Sequence, residues 1–218
     1  MDPSLGPKKA RMQLKELSER SGVSAASIKY YLREGLLPAG AAVHPTRAQY
    51  SARHVERLEL IQALRRIVGL TIEQIRGLLR MADDGAPRLD LLAAVQRVVL
   101  ELDSYATAGG GVGTPAADAV VRLRGWPDAP SDARNALNAH VELMESLNIR
   151  VSPEVLDTYS KAMDDVAGID IAATTAPDSV DQLILTAAVG MHMHSRLLLR
   201  LLALAQASHA IRRYENDV

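Results

Sequence analysis

The chain has 218 residues, nearly half of them apolar, with one Trp, six Tyr and no Phe. It has no Cys, which excludes disulfides, thiolate metal sites, iron–sulfur clusters and thiol catalysis. The net charge of −1 hides a split: Lys8 to Arg80 holds 14 Lys/Arg against 6 Asp/Glu, and the remainder 11 against 20, the distribution expected of a nucleic-acid-binding module joined to a module of another kind.

In chain order, residues 1–11 carry Pro3, Gly6, Pro7 and three basic side chains and are expected to form a flexible tail. They lack the apolar run of a signal peptide. Residues 14–21 read as a short helix with Leu14 and Leu17 inward. Gly22-Val23-Ser24 is a turn, and Ser24 is a good N-cap for a second helix over 25–33. In that helix Ile28 and Leu32 share one face and Lys29 and Arg33 another. Gly35 stops it. A short helix with an apolar spine and a basic edge, preceded by helix and turn, suits a DNA major groove.

Residues 39–50 are small and without helical period, and are expected to form an extended hairpin carrying Arg47 and Gln49. Ser51 opens a strongly periodic helix to about residue 68. Its apolar stripe is Val55, Leu58, Ile61, Leu64 and Ile67 or Val68, and Arg53, Arg57, Arg65 and Arg66 are expected to point outward. Gly69 breaks it. Thr71 with Gln74 forms a capping box for a further helix to about residue 81.

Beyond a short linker, residues 89–105 read as a helix with a wide aliphatic face that includes Leu91, Val95, Val98 and Leu102. A second copy of the same helix is the expected cover, and the chain's own C-terminal part the alternative. Residues 106–115 form a glycine-rich break, with no Gly-Lys-Ser/Thr to make it a phosphate loop. Helices are then predicted over 116–125, 131–147, 153–166 and 178–214, the last bending or breaking near Gly190. The most apolar segment, 180–207, is interrupted by Arg196 and Arg200, so no membrane span is predicted and a cytoplasmic location is expected. The fold class is mainly α.

Four blocks in fixed order carry a resemblance to a known family: QLKELSERSGVS, SIKYYLREGLLP, YSARHVERLELI and GLTIEQIRGLL, all between Met12 and Met81. They resemble the DNA-binding domain of MerR-family transcriptional regulators. The resemblance implies a winged helix–turn–helix over 12–81, a linker and dimerisation helix over 88–106, and an all-helical effector or interaction domain over 115–216. It implies a homodimer on palindromic double-stranded promoter DNA, which engages RNA polymerase by distorting the promoter. The expected DNA contacts are Ser24, Ser27, Lys29, Tyr30, Tyr31, Arg33, Arg47, Gln49 and Arg66. Of these, Lys29 stands where the family usually has Arg, and Tyr30 and Tyr31 match paired aromatics whose hydroxyls approach the backbone. Tyr31, three after Ile28, has a second reading as a buried ring. In the hairpin the family's usual Arg is replaced by Ala48, with Arg47 one residue earlier. Arg66 aligns with a basic phosphate contact.

For the second half, the absence of Cys argues against the family's metal-sensing branch. His192 and His194 lie about 200° apart around a helix and do not make a ligand pair. A small hydrophobic effector is expected instead, with Trp126, Glu142 and Tyr159 as candidate contacts. No cofactor, metal ligand or catalytic residue is assigned: adjacent acids such as Asp164 and Asp165 lack any accompanying nucleophile or base. The alternative is a DNA-binding adaptor whose helical domain holds a protein partner and senses no ligand.

Overall fold

The computed structural model describes residues 11–44, 47–105, 115–172, 174–175 and 177–215. Almost all of the expected tail and of the glycine-rich break lies outside these residues. The described chain is mainly helical and divides into two compact units. The first runs to Leu91 and includes residues 177–185; the second holds residues 92–176 and those from Thr186 onward.

The first unit begins with α1 (Leu14–Ser21) and α2 (Ala25–Arg33). The turn between them works through Gly22, whose φ of 66° lies in the left-handed region that a side chain disfavours. Ser24 is the N-cap of α2, its Oγ accepting from the Ser27 amide at 3.1 Å. An antiparallel hairpin follows, β1 (Ala41–His44) and β2 (Arg47–Gln49), with an irregular register between Ala42 and His44. Gly40 admits it: a Cβ there would lie 2.8 Å from the Gln49 carbonyl oxygen and 3.0 Å from the Tyr50 ring. Reciprocal backbone bonds between Met12 and Tyr50, both 2.9 Å, tie the hairpin's end to the start of α1.

The third helix, α3 (Ala52–Ala63), runs on into a π-helical turn (Leu64–Val68). Its entry is fixed by Ser51, whose N–H donates to His54 Nδ1 at 3.0 Å. The Thr71–Gln74 capping box forms as the sequence predicts and opens α4 (Ile72–Asp83). Leu17, Ile28, Leu36, Leu58, Ile61 and Ile75 are completely buried, so α1, α2, α3, α4 and the loop after α2 supply the aliphatic core.

One helix, α5 (Arg88–Val99), belongs to both units and is shorter than the predicted 89–105. It ends in a turn with Glu101 at φ 57°, followed by a 3-10 turn (Asp103–Tyr105). Its Leu91 and Val95 are buried within the chain itself. The second unit continues with α6 (Pro115–Arg124), α7 (Asp132–Ser146) and α8 (Pro153–Ala172). The last helix, α9 (Val180–Tyr214), is a single element of 35 residues that starts in the first unit and continues in the second. The expected break at Gly190 is absent: glycine costs a helix interior only about 1 kcal/mol, which the flanking turns absorb.

Ion pairs join the second unit's helices. Arg97 donates to Asp132 at 2.6 Å, Arg124 pairs with Asp157, and Arg134 pairs with both Asp118 and Asp128. Its buried apolar residues are mostly small, among them Ala117, Val120, Val141, Ala187 and Ala188. Among the described residues no helix is long and apolar enough to cross a membrane.

Candidate nucleic-acid interface

The candidate surface is built on α2. Ile28 is fully buried and Tyr31 is 5% exposed, which fixes the helix's inner face. Lys29 and Arg33, four apart, are both exposed on the outer one. The Arg33 guanidinium carbon lies 5.5 Å from the Tyr30 ring centroid, and Tyr30 meets Tyr31 edge-on at 5.7 Å. This stacking pre-orders Arg33 while leaving its N–H groups free to point outward.

Two side chains distant in sequence set the direction of α2. The Arg76 Nη2 of α4 donates to the Glu34 carboxylate at 2.6 Å, and its Nε to the Glu34 carbonyl at 3.2 Å. Gln62 Nε2 of α3 donates to the Ser21 carbonyl at 3.0 Å. The chain is therefore held from behind at the turn before α2 and at the end of α2, so the exposed edge of α2 is presented in a fixed orientation.

Tyr31 takes the second of its two expected roles. Its ring is buried, and its hydroxyl accepts from Arg65 Nη1 at 3.3 Å. Ser24 and Ser27 also sit on the exposed side, but the cap occupies Ser24, and the two hydroxyls share a 2.9 Å bond. Arg65 and Arg66 are exposed together on the π-helical turn, and Gly69 just beyond ends it. Arg47 occupies the first position of β2, and its side chain lies outside the described part. Gln49 is half-buried, and its Oε1 is enclosed with no hydrogen-bond partner among the described residues. The hairpin thus turns that oxygen inward.

Arg57 corrects the sequence reading. Expected to point outward, it is only 8% exposed. Its Nη1 and Nη2 donate to Asp83 at 3.1 and 2.7 Å, and its Nε donates to Asp181 at 2.7 Å. Burial works against the charge, but the hydrogen bonds and charges of Asp83 and Asp181 outweigh it and push the Arg57 pKa up. The residue ties α3 to the end of α4 and the first turn of α9. It lines an open cavity of about 440 Å³ together with Arg53, Glu56, Asp178 and others. Arg57 was missed because its partners lie 26 and 124 residues away, beyond any local pattern.

Two of the three candidate effector contacts in the second unit lie in solvent. The Trp126 Nε1–H donates to Asp164 at 2.6 Å, Glu142 is exposed, and Tyr159 is 66% exposed. His194 Nδ1 lies 2.5 Å from Asp170. No group of acids and histidines among the described residues could hold a metal ion.

Residues 12–82 match the family described as MerR HTH family regulatory protein. The crystal structure of a proposed transcriptional regulator from Streptomyces coelicolor A3(2) is similar over 93% of this chain and 98% of that one, at 30% identity and a TM-score of 0.64. No curated protein matches the sequence.

Proposed function

We propose that this chain, which belongs to the MerR family of helix–turn–helix regulatory proteins, reads a palindromic promoter site as a symmetric dimer. The coarser function, a DNA-binding transcriptional regulator, follows from the family itself. The observation that carries the finer reading is the exposed Lys29–Arg33 edge of α2, backed by buried Ile28 and Tyr31. In the major groove Lys29 reaches base edges or phosphate as a point charge. Arg33, ordered on Tyr30, offers the planar fork that recognises guanine or phosphate. Arg66, with Arg65 beside it, neutralises backbone phosphate, and Arg47 does so from the hairpin.

A dimer places its two α2 helices about one DNA turn apart, or a multiple of it. Holding the duplex in one deformed shape then controls how RNA polymerase engages the promoter. The helical second unit is assigned the regulatory input, a small apolar effector. The exposure of Glu142 and Tyr159 instead favours a protein-binding role for that unit. Thermal-shift screening with hydrophobic ligands separates the two. The test of the DNA reading is binding to the sequence upstream of the protein's own gene and to selected palindromes. Affinity no tighter than for random DNA at matched salt would falsify it.

A further inference from the structure

A surface the proposed function leaves unused belongs to the second unit. From Met193 onward α9 keeps most of its large apolar side chains in solvent. Leu197, Leu199, Leu201, Leu202 and Leu204 are each 51–68% exposed. Met193, Leu197, Leu201, Leu204 and Ile211 recur at three-, four- and seven-residue steps, so they fall on one seam. In the same unit α8 carries a second uncovered seam. Its Val155, Tyr159, Met163 and Ile169 are 39–71% exposed and span roughly 120° of the helix circumference. At roughly 100 Å² per apolar side chain, the two seams offer on the order of 900 Å². That exceeds the few hundred Å² tolerated on a lone soluble surface. It also equals what one partner of a standard interface buries, about 800 Å².

Charge selects the occupant. Between Thr186 and Tyr214, α9 holds Arg196, Arg200, Arg212 and Arg213 and no acid, a formal +4. α8 holds five Asp/Glu and Lys161, a formal −4. Laying α9 along α9 of another copy sets like charge against like. Laying it along the other copy's α8 sets a basic helix against one that stays acidic even with Asp157 paired to Arg124 and Asp170 bonded to His194 in its own chain, and a twofold axis makes that contact twice. The geometry points to a reciprocal exchange, in which the second half of α9 docks on the α8 seam of a second copy of this chain. The inference rests on the proposed dimer and gives it an interface distinct from α5.

Sedimentation equilibrium of the full chain tests it. Wild type is expected to be dimeric. Leu197→Asp with Leu204→Asp on α9, or Tyr159→Asp with Met163→Asp on α8, should each weaken association by at least about tenfold. Circular dichroism should stay that of wild type, since these side chains are exposed. Mixing the two double variants should restore dimers, because one intact α9–α8 contact remains in the mixed pair. Arg200→Glu provides a gentler variant, whose weakened association should depend on salt. A wild-type monomer at tens of micromolar would sink the dimer reading and this surface together. A dimer indifferent to both double variants keeps the dimer but overturns the surface. Loss confined to the α9 variant, with no recovery on mixing, overturns the α9–α8 pairing in favour of α9 with itself.

Discussion

The two units solve the same problem, covering aliphatic side chains, with opposite success. The first buries Leu17, Ile28, Leu58, Leu60, Ile61 and Leu64 completely, and it closes its helix ends with Ser24, the Thr71–Gln74 box and Gly22. The second buries mainly Ala and Val, and leaves Leu143, Tyr159, Ile169 and the α9 leucines in solvent. A core of small residues holds helices close but removes little apolar area per side chain. The first unit therefore carries its own stability and can present α2 rigidly. The second is built from helices whose larger side chains await a cover, which suits a module that receives a signal or a partner.

The largest effect that breaks this contrast is a core truncation. Ile61→Ala should cost about 3 kcal/mol by removing a fully buried side chain. Leu204→Ala, at 66% exposure, should change the isolated chain by no more than about 0.5 kcal/mol. Urea denaturation at low protein concentration checks both. Equal costs would mean that α9 is already covered within one chain.

Arg57 gives the next largest. Arg57→Ala leaves Asp181 without its 2.7 Å partner, and that carboxylate's side chain is only 14% exposed. The expected cost is about 3 kcal/mol, most of it the penalty of an unpaired charge. Adding Asp181→Asn to the variant should recover part of it, since a neutral amide is easier to leave in place. A simple loss of side-chain packing would show no such recovery.

These residues also show where the sequence was informative. Ser24, Thr71 with Gln74, and the Leu58–Ile61–Leu64 stripe are legible because their partners lie within a turn or two. So is the Lys29–Arg33 edge, since periodicity alone puts it opposite Ile28. Arg57 is not legible: an arginine beside exposed Arg53 and Glu56 looks like solvated surface until α4 and α9 bring their carboxylates to it. Tyr31 stayed divided for the same reason, its hydroxyl being settled by Arg65, 34 residues on. At Gly190 the local signal predicts a bend or a break, and α9 runs through it without a break. The α5 face looked free in sequence, yet Leu91 and Val95 are buried in the chain, and it is α9 that shows uncovered leucines.

On DNA the first unit's rigidity can be sharpened residue by residue. Lys29→Ala should cost about 1–2 kcal/mol of affinity per half-site and relax preference among palindromes, if it touches base edges. Arg66→Ala should weaken all sequences alike and lower the salt slope by about one. Competition binding at two salt concentrations reads both. Wild-type behaviour of both variants would place the interface elsewhere.

The smallest effect concerns His54, where α3 meets the end of the hairpin. Its ring packs edge-on against Tyr50 at 5.2 Å, and its Nδ1 accepts from the Ser51 N–H. That bond requires the neutral ring. Burial depresses the His54 pKa below its ordinary 6.5, with the Arg57 charge adding to the effect. The unfolded chain therefore takes up this proton at a higher pH than the folded one. The His54 contribution to stability is fully present above about pH 6.5 and is lost as the pH falls from there through the folded pKa. Replacing the ring by His54→Gln, whose amide oxygen can still accept from Ser51, should remove that slope between pH 7 and 5 while leaving the part due to carboxylates. Denaturation midpoints of the two proteins across this range measure the difference. Parallel curves would mean that His54 titrates alike in both states and that its burial costs the charged ring nothing.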